Sequence, residues 1–149
     1  MEIEKDFGDF IGCLNKRRAA YCIVGAYAVS YYGRPRYTGD MDILVKPDLD
    51  NSPRVYNAIK DFHANTAEIS PDYFSKSGNV FQIGIAPVQI HILTCLDGVN
   101  TAAVFKHRVK SRYGEQNTYF IGKKELIINK TSLGRDQDKI DVKYLLKKR

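Results

Sequence analysis

The chain of 149 residues has no tryptophan, two methionines, five prolines and three cysteines. Each scarcity narrows the field. Cys13, Cys22 and Cys95 are odd in number and form no CxxC or CxxH pair, which argues against a disulfide framework or a cysteine zinc site and fits thiols kept reduced in a cytoplasmic protein. No apolar run approaches the ~20 residues that a membrane-spanning helix needs. The opening MEIEKDFGDF has neither the basic start nor the apolar stretch of a secretory signal. The expectation is a soluble cytoplasmic protein with no membrane partner. Repeats, low-complexity tracts and Pro/Gly-rich linkers are also missing, so residues 1–149 are expected to form a single domain.

What is present is ordinary globular material with a basic bias. Hydrophobic residues make up 44% and aromatic residues 11%, enough for a core and against disorder. The formal net charge is +6, with a pI near 9.2. Basic clusters occur at NKRR from Asn15, GRPR from Gly33, KHRVKSR from Lys106 and the closing KKR. A positive field raises encounter rates with phosphates, so a polyanionic partner such as RNA is compatible with this charge.

Ile3, Phe7, Phe10, Ile11 and Leu14 recur at helical spacing and predict an N-terminal amphipathic helix ending at NKRR. YCIV is a short strand stopped by Gly25, and AYAVSYYG is a helix closed by Gly33 and broken by Pro35. MDILVKP is a second strand, ended by Pro47. Val55, Ile59 and Phe62 then mark a helix, and Thr66 to Asn79 is irregular, with at most a short helical turn. VFQIGIA and VQIHILT are neighbouring strands or a hairpin, and the DG at Asp97 and Gly98 is a turn. A brief helix at NTAAVFKH precedes a strand, turn and strand over RVKSRY, GEQ and TYFIG. KKELIINKTSL, stopped by Gly134, and a last helix capped by Asp136 make the C-terminus helical. Interleaved strands and helices with a hairpin-like pair predict an α/β (α+β) domain with a mixed sheet flanked by helices.

The stretch RYTGDMDILV, Arg36 to Val45, places two aspartates at the start of a core strand. Alternation along a strand puts Asp40 and Asp42 on one face with Cα atoms about 6.5–7 Å apart, close enough for both carboxylates to reach one cation or two. Mg²⁺ prefers such oxygen ligands together with phosphate and water. A strand, glycine and helix come immediately before, and a glycine there lets helix N-terminal amides approach a phosphate.

YCIVGAYAVSYYGRPRYTGDMDILV resembles the opening motif of the DNA polymerase β-like nucleotidyltransferase superfamily, and in particular the minimal bacterial nucleotidyltransferases and the AbiEii-type toxin group. LIINKTSLGRDQDKIDVKYL is similar to that group's ending, with Lys130, Arg135, Asp138 and Asp141 at the matching positions. The resemblance implies transfer of a nucleoside monophosphate from an NTP to a hydroxyl on an RNA end or a protein, with release of pyrophosphate and, for a toxin, an antitoxin partner. Asp40 and Asp42 would hold two Mg²⁺ ions, or Mn²⁺. Gly25, Ala26, Arg36, Thr38, Lys130 and Asp138 would serve the nucleotide, and Lys130 would also stand among the catalytic residues with Asp40, Asp42 and His91.

Two positions depart from the pattern. Gly25-Ala26 replaces the usual Gly-Ser or Gly-Gly, which removes a hydroxyl but leaves the backbone amides. His91 occupies the place of a third carboxylate, and an imidazole is a poorer Mg²⁺ ligand with no negative charge to contribute. Asp97 is the alternative third carboxylate. The chain is therefore expected to be either an active nucleotidyltransferase with a modified third position or a catalytically impaired relative that binds a nucleotide or partner and regulates it.

Overall fold

A computed structural model describes residues 1, 3–34, 39–85 and 87–147. Among the described residues six strands form one mixed sheet, in the order β3-β4-β2-β1-β6-β5. The strands are β1 (Tyr21–Val24), β2 (Asp40–Val45), β3 (Val80–Ile85), β4 (Val88–Leu93), β5 (Val109–Tyr113) and β6 (Gln116–Phe120). The helices are α1 (Lys5–Lys16), α2 (Gly25–Tyr31), α3 (Asn51–Asp61), α4 (Thr101–His107), α5 (Lys123–Leu133) and α6 (Asp136–Lys147). This is the α/β architecture expected from the sequence. β1 pairs antiparallel with β2 and parallel with β6, β2 pairs parallel with β4, and the hairpins β3-β4 and β5-β6 close the two edges.

The helical periodicity of α1 buries Phe7, Phe10, Ile11 and Leu14. These residues pack against α3, which contributes Val55, Ala58 and Ile59, and Phe10 meets Phe62 edge to face at 5.3 Å between ring centroids. Ile3 lies before the helix and is half exposed, outside the apolar stripe to which its spacing assigned it. β1 is buried at every position, as a central strand covered on both faces must be. β2 alternates at its start: Met41 and Ile43 are fully buried while Asp40 and Asp42 are half-buried. β4 repeats the pattern, with Ile90 and Ile92 inside and Gln89 and His91 on the face of the aspartates.

The irregular segment before β3 contains the expected short turn, a 3₁₀ turn at Tyr73–Ser75. It anchors Phe74, which is wholly buried. The Ser52 hydroxyl on α3 fixes that turn by accepting from the Phe74 amide at 2.8 Å and donating to the Pro71 carbonyl at 2.8 Å.

The end of the β1-β2 pair remote from the aspartates is fastened by one amide. Buried Asn51 accepts from the Ala20 N–H at 2.7 Å and donates to the carbonyls of Ala20 and Lys46, each at 2.9 Å. Its own N–H donates to Asp48 Oδ1 at 2.6 Å, which starts α3. Removing this side chain breaks three hydrogen bonds and leaves the Ala20 N–H without a partner, while the carbonyls of Ala20 and Lys46 keep the N–H groups of Lys46 and Asp48. Asn51→Ala is expected to lower unfolding free energy by about 2–4 kcal/mol, more than a single lost hydrogen bond. Urea denaturation checks it, and a change below about 1 kcal/mol, the ordinary worth of one such bond, would contradict the bridging role.

Candidate functional site

The antiparallel register sets Val24 opposite Asp42, so the chain turns into α2 at Gly25 directly beside the Asp42 side chain. Gly25 has φ +65°, and a Cβ built there would lie 2.5 Å from Asp42 Oδ2. Only glycine meets both demands, a left-handed backbone and contact with a carboxylate. α2 begins without a side-chain cap, since its N-cap residue is Val24. The amides of its first turn, Ala26 among them, receive no capping oxygen from that residue.

The parallel register sets Asp40 opposite Gln89 and Asp42 opposite His91. These four side chains form a polar patch on one sheet face. His91 Nδ1 lies 3.1 Å from Asp42 Oδ1, and His91 Nε2 lies 3.1 Å from Gln89 Oε1. About a third of the Asp42 side chain and a quarter of the His91 side chain remain exposed, so the patch opens to solvent. Desolvation is the strongest influence on Asp42 and pushes its carboxyl above the ordinary value. The charge and hydrogen bond of His91 pull it down, Asp40 adds to the rise and Lys130 opposes it.

A second polar cluster forms where α5 turns into α6. Gly134, with φ +64°, closes α5 and donates its N–H to the Lys130 carbonyl. Lys130 is buried, with Nζ 3.0 Å from Asp138 Oδ1 and 3.3 Å from Asp141 Oδ2. Both aspartates have zero exposure. Arg135 forks onto Asp138 at 2.6 and 3.2 Å, and Arg34, just beyond α2, reaches Asp141 at 3.2 Å. Burial raises the Asp138 carboxyl, but hydrogen bonds and charge from Arg135 and Lys130 prevail and lower it from 3.8 to about 2. Among the described residues three cations, Lys130, Arg135 and Arg34, meet two carboxylates there. Lys130 pulls the Asp42 carboxyl down and Asp42 pushes Arg135 up, so the two clusters interact through their charges.

The structure thus joins Asp40, Asp42, His91, Gly25 and Ala26 around one strand end and puts Lys130 and Asp138 in the cationic cluster. Lys130 and Asp138 are both buried, and Asp138 pairs with Lys130 and Arg135. Asp97, the alternative third carboxylate, sits in an exposed turn past β4 whose carbonyl binds Asn129. Arg36 and Thr38 lie outside the described residues. Gln89 and Arg34 join the site without having stood out in the sequence. Gln89 has a signal in principle, as the same-face neighbour of His91 two positions on, whereas nothing local points from Arg34 to Asp141.

Among the described residues no set of three His, Cys, Asp or Glu side chains is placed to hold a metal ion. The donor chemistry fits an ion that takes one or two carboxylates and draws its remaining ligands from phosphate and water.

No family model matches the chain, and no curated protein matches it in sequence. Solved structures do match in fold. The lincosamide antibiotic adenylyltransferase LnuA, in its lincomycin-bound form, aligns with a TM-score of 0.64 at 13% identity over 98% of each chain. A Thermotoga maritima protein provisionally assigned as a nucleotidyltransferase, TM1012, gives 0.66 at 12% identity over 99% of this chain and 97% of its own. An antigenic nucleotidyltransferase-like protein from Paracoccidioides brasiliensis gives 0.57 at 14% identity over 95% and 73%. The chain has the fold of nucleotidyltransferases.

Two outcomes are expected from this geometry. Gly25→Ala forces an L-residue into a left-handed conformation and displaces the Asp42 carboxylate, so it should cost at least about 1–2 kcal/mol in urea denaturation; wild-type stability would contradict the contact. Asp138 has a folded value below its unfolded one, so its contribution to stability is complete above the unfolded value near 3.8 and disappears as pH falls through about 2. The stability gap between wild type and Asp138→Asn should be constant at neutral pH and narrow across that acid window. A gap independent of pH throughout that window would contradict the coupling.

Proposed function

We propose that the protein is a metal-dependent nucleotidyltransferase that moves a nucleoside monophosphate from an NTP to a hydroxyl. The observation that carries this reading is the junction of Asp40, Asp42 and Gly25 at one strand end, with the charge of Lys130 from the α5-α6 cluster acting on Asp42. In the reaction the acceptor oxygen bonds to the α-phosphorus, the bond from that phosphorus to the bridging oxygen breaks, pyrophosphate leaves, and the hydroxyl proton passes to solvent or a basic side chain. Asp40 and Asp42 would hold the divalent ion, Mg²⁺ or Mn²⁺, whose chemistry when bound is to neutralise the triphosphate and polarise the α-phosphoryl oxygens. The uncapped amides at Gly25 and Ala26 would cradle phosphate oxygens. Arg36 and Thr38 would contact the nucleotide from the segment leading into Asp40. Lys130, held by Asp138 and Asp141, would act through its charge as a fixed cation rather than as a mobile hand on the phosphate. Asp138 would then serve the nucleotide indirectly, by positioning Lys130.

The basic surface and the motif resemblance favour an RNA end or a protein hydroxyl as acceptor, the acceptor of a toxin-like enzyme with an antitoxin partner. The fold likeness to an antibiotic adenylyltransferase adds a small hydroxyl compound to the candidates to be tried. Incubation with each α-labelled NTP, Mg²⁺ or Mn²⁺, and total RNA or whole lysate is expected to give metal-dependent transfer of label that Asp42→Ala abolishes. Label transfer equal in wild type and Asp42→Ala, or absent throughout, would overturn the proposal.

The hydrogen bond of His91 to Asp42 favours a second reading, a nucleotidyltransferase fold that has lost turnover and regulates through binding. A strong gain of label transfer in His91→Asp supports that reading, and a further loss makes the histidine part of the working site.

A further inference from the structure

We infer that the Asp40–Asp42 site takes one divalent cation rather than a pair, with His91 standing where the second would lie. The inference rests on the nucleotidyltransferase reading above and narrows it.

The two oxygens of Asp42 look in different directions. Oδ2 faces Gly25, so close that a Cβ there would lie 2.5 Å from it, and Oδ1 faces His91 Nδ1 at 3.1 Å. A two-ion site sets its cations ~3.5–4 Å apart, a spacing that a carboxylate spans by giving one oxygen to each ion, and the added charge calls for further anionic ligands. Here the oxygen that would serve the second ion is bound to an imidazole. The ring is held at both nitrogens, since Nε2 lies 3.1 Å from Gln89 Oε1. The next position along that row, opposite Asp40, is Gln89, a neutral amide. β4 therefore offers the patch no negative charge, whereas two divalent ions would bring four positive ones.

An ion on the Gly25 side would share its coordination with the triphosphate. One ion bound by the aspartates and completed by phosphate and water matches the coordination habit of Mg²⁺. It also agrees with the lack, among the described residues, of three convergent metal-ligating side chains.

The test is a count of ions. Wild type, His91→Asp and Asp42→Asn are dialysed to equilibrium against Mn²⁺ with a mixture of the four α,β-methylene nucleoside triphosphates. Retained Mn²⁺ is measured per chain as the amount lost in Asp42→Asn, and electron paramagnetic resonance reports whether retained ions are spin-coupled. The expected result is one uncoupled Mn²⁺ per wild-type chain and two coupled ions in His91→Asp. Two coupled ions in wild type would overturn the inference while leaving nucleotide transfer standing. No retained Mn²⁺, or equal retention in Asp42→Asn, would overturn the inference and the nucleotidyltransferase reading together. If His91→Asp does not fold, the wild-type count alone decides, and a folded His91→Asp that holds one ion removes His91 as the cause.

Discussion

The antiparallel register between β1 and β2 is the constraint on which the rest of the molecule depends. Val24 opposite Asp42 makes the first residue after β1 a neighbour of the second carboxylate, and that contact dictates glycine. The parallel register of β2 with β4 then decides what faces the carboxylates, namely Gln89 and His91. Because side chains alternate, the same pairings that build this polar patch also commit Met41, Ile43, Ile90 and Ile92 to the core. Site and interior are two faces of one set of hydrogen bonds.

Charge is arranged around this frame with unequal solvent exposure. Asp42 is partly open and raised by desolvation, so protons and cations compete for it. Asp138 is closed off and lowered by its cationic partners, so across the physiological range it stays ionised. One carboxylate is thus placed to respond to what arrives, while the other holds Lys130 in a fixed position. Breaking a buried pair of this kind leaves an uncompensated charge, which is why the cluster is a rigid background and not a reserve of loose side chains.

Much of this architecture is legible in the sequence alone. Asp40 and Asp42 stand out by their spacing at the head of a core strand, Gly25 by its place between strand and helix, and His91 by its departure from the superfamily's pattern of carboxylates. Elements such as α1, β2 and β4 follow from periodicity because each has one apolar face, and β1 follows from its unbroken apolar run. Strand order does not, since the β1-β6 and β2-β4 pairings join segments far apart in the chain. α5 is legible only in part: Leu126 is buried and Ile127 packs against the core as apolar residues should, yet Glu125, Asn129 and Lys130 are buried as well. A buried lysine is intelligible only with Asp138 and Asp141 beside it, and those belong to the next helix. Phe74 is hidden similarly, in a segment without a repeat, and fixed by a serine from α3.

The amide of Asn51, at the other end of the β1-β2 pair, has a consequence for fidelity of folding. If β2 slid by one residue, Met41 or Ile43 would come into the patch and a carboxylate would pass into the core. Backbone hydrogen bonds alone discriminate weakly between such neighbouring alignments, because every alignment satisfies most of them. Asn51 binds Ala20 and Lys46 together and so recognises a single alignment of the two strands. It works as a proofreading clamp, checking at one pole of the sheet that the charges have arrived correctly at the other.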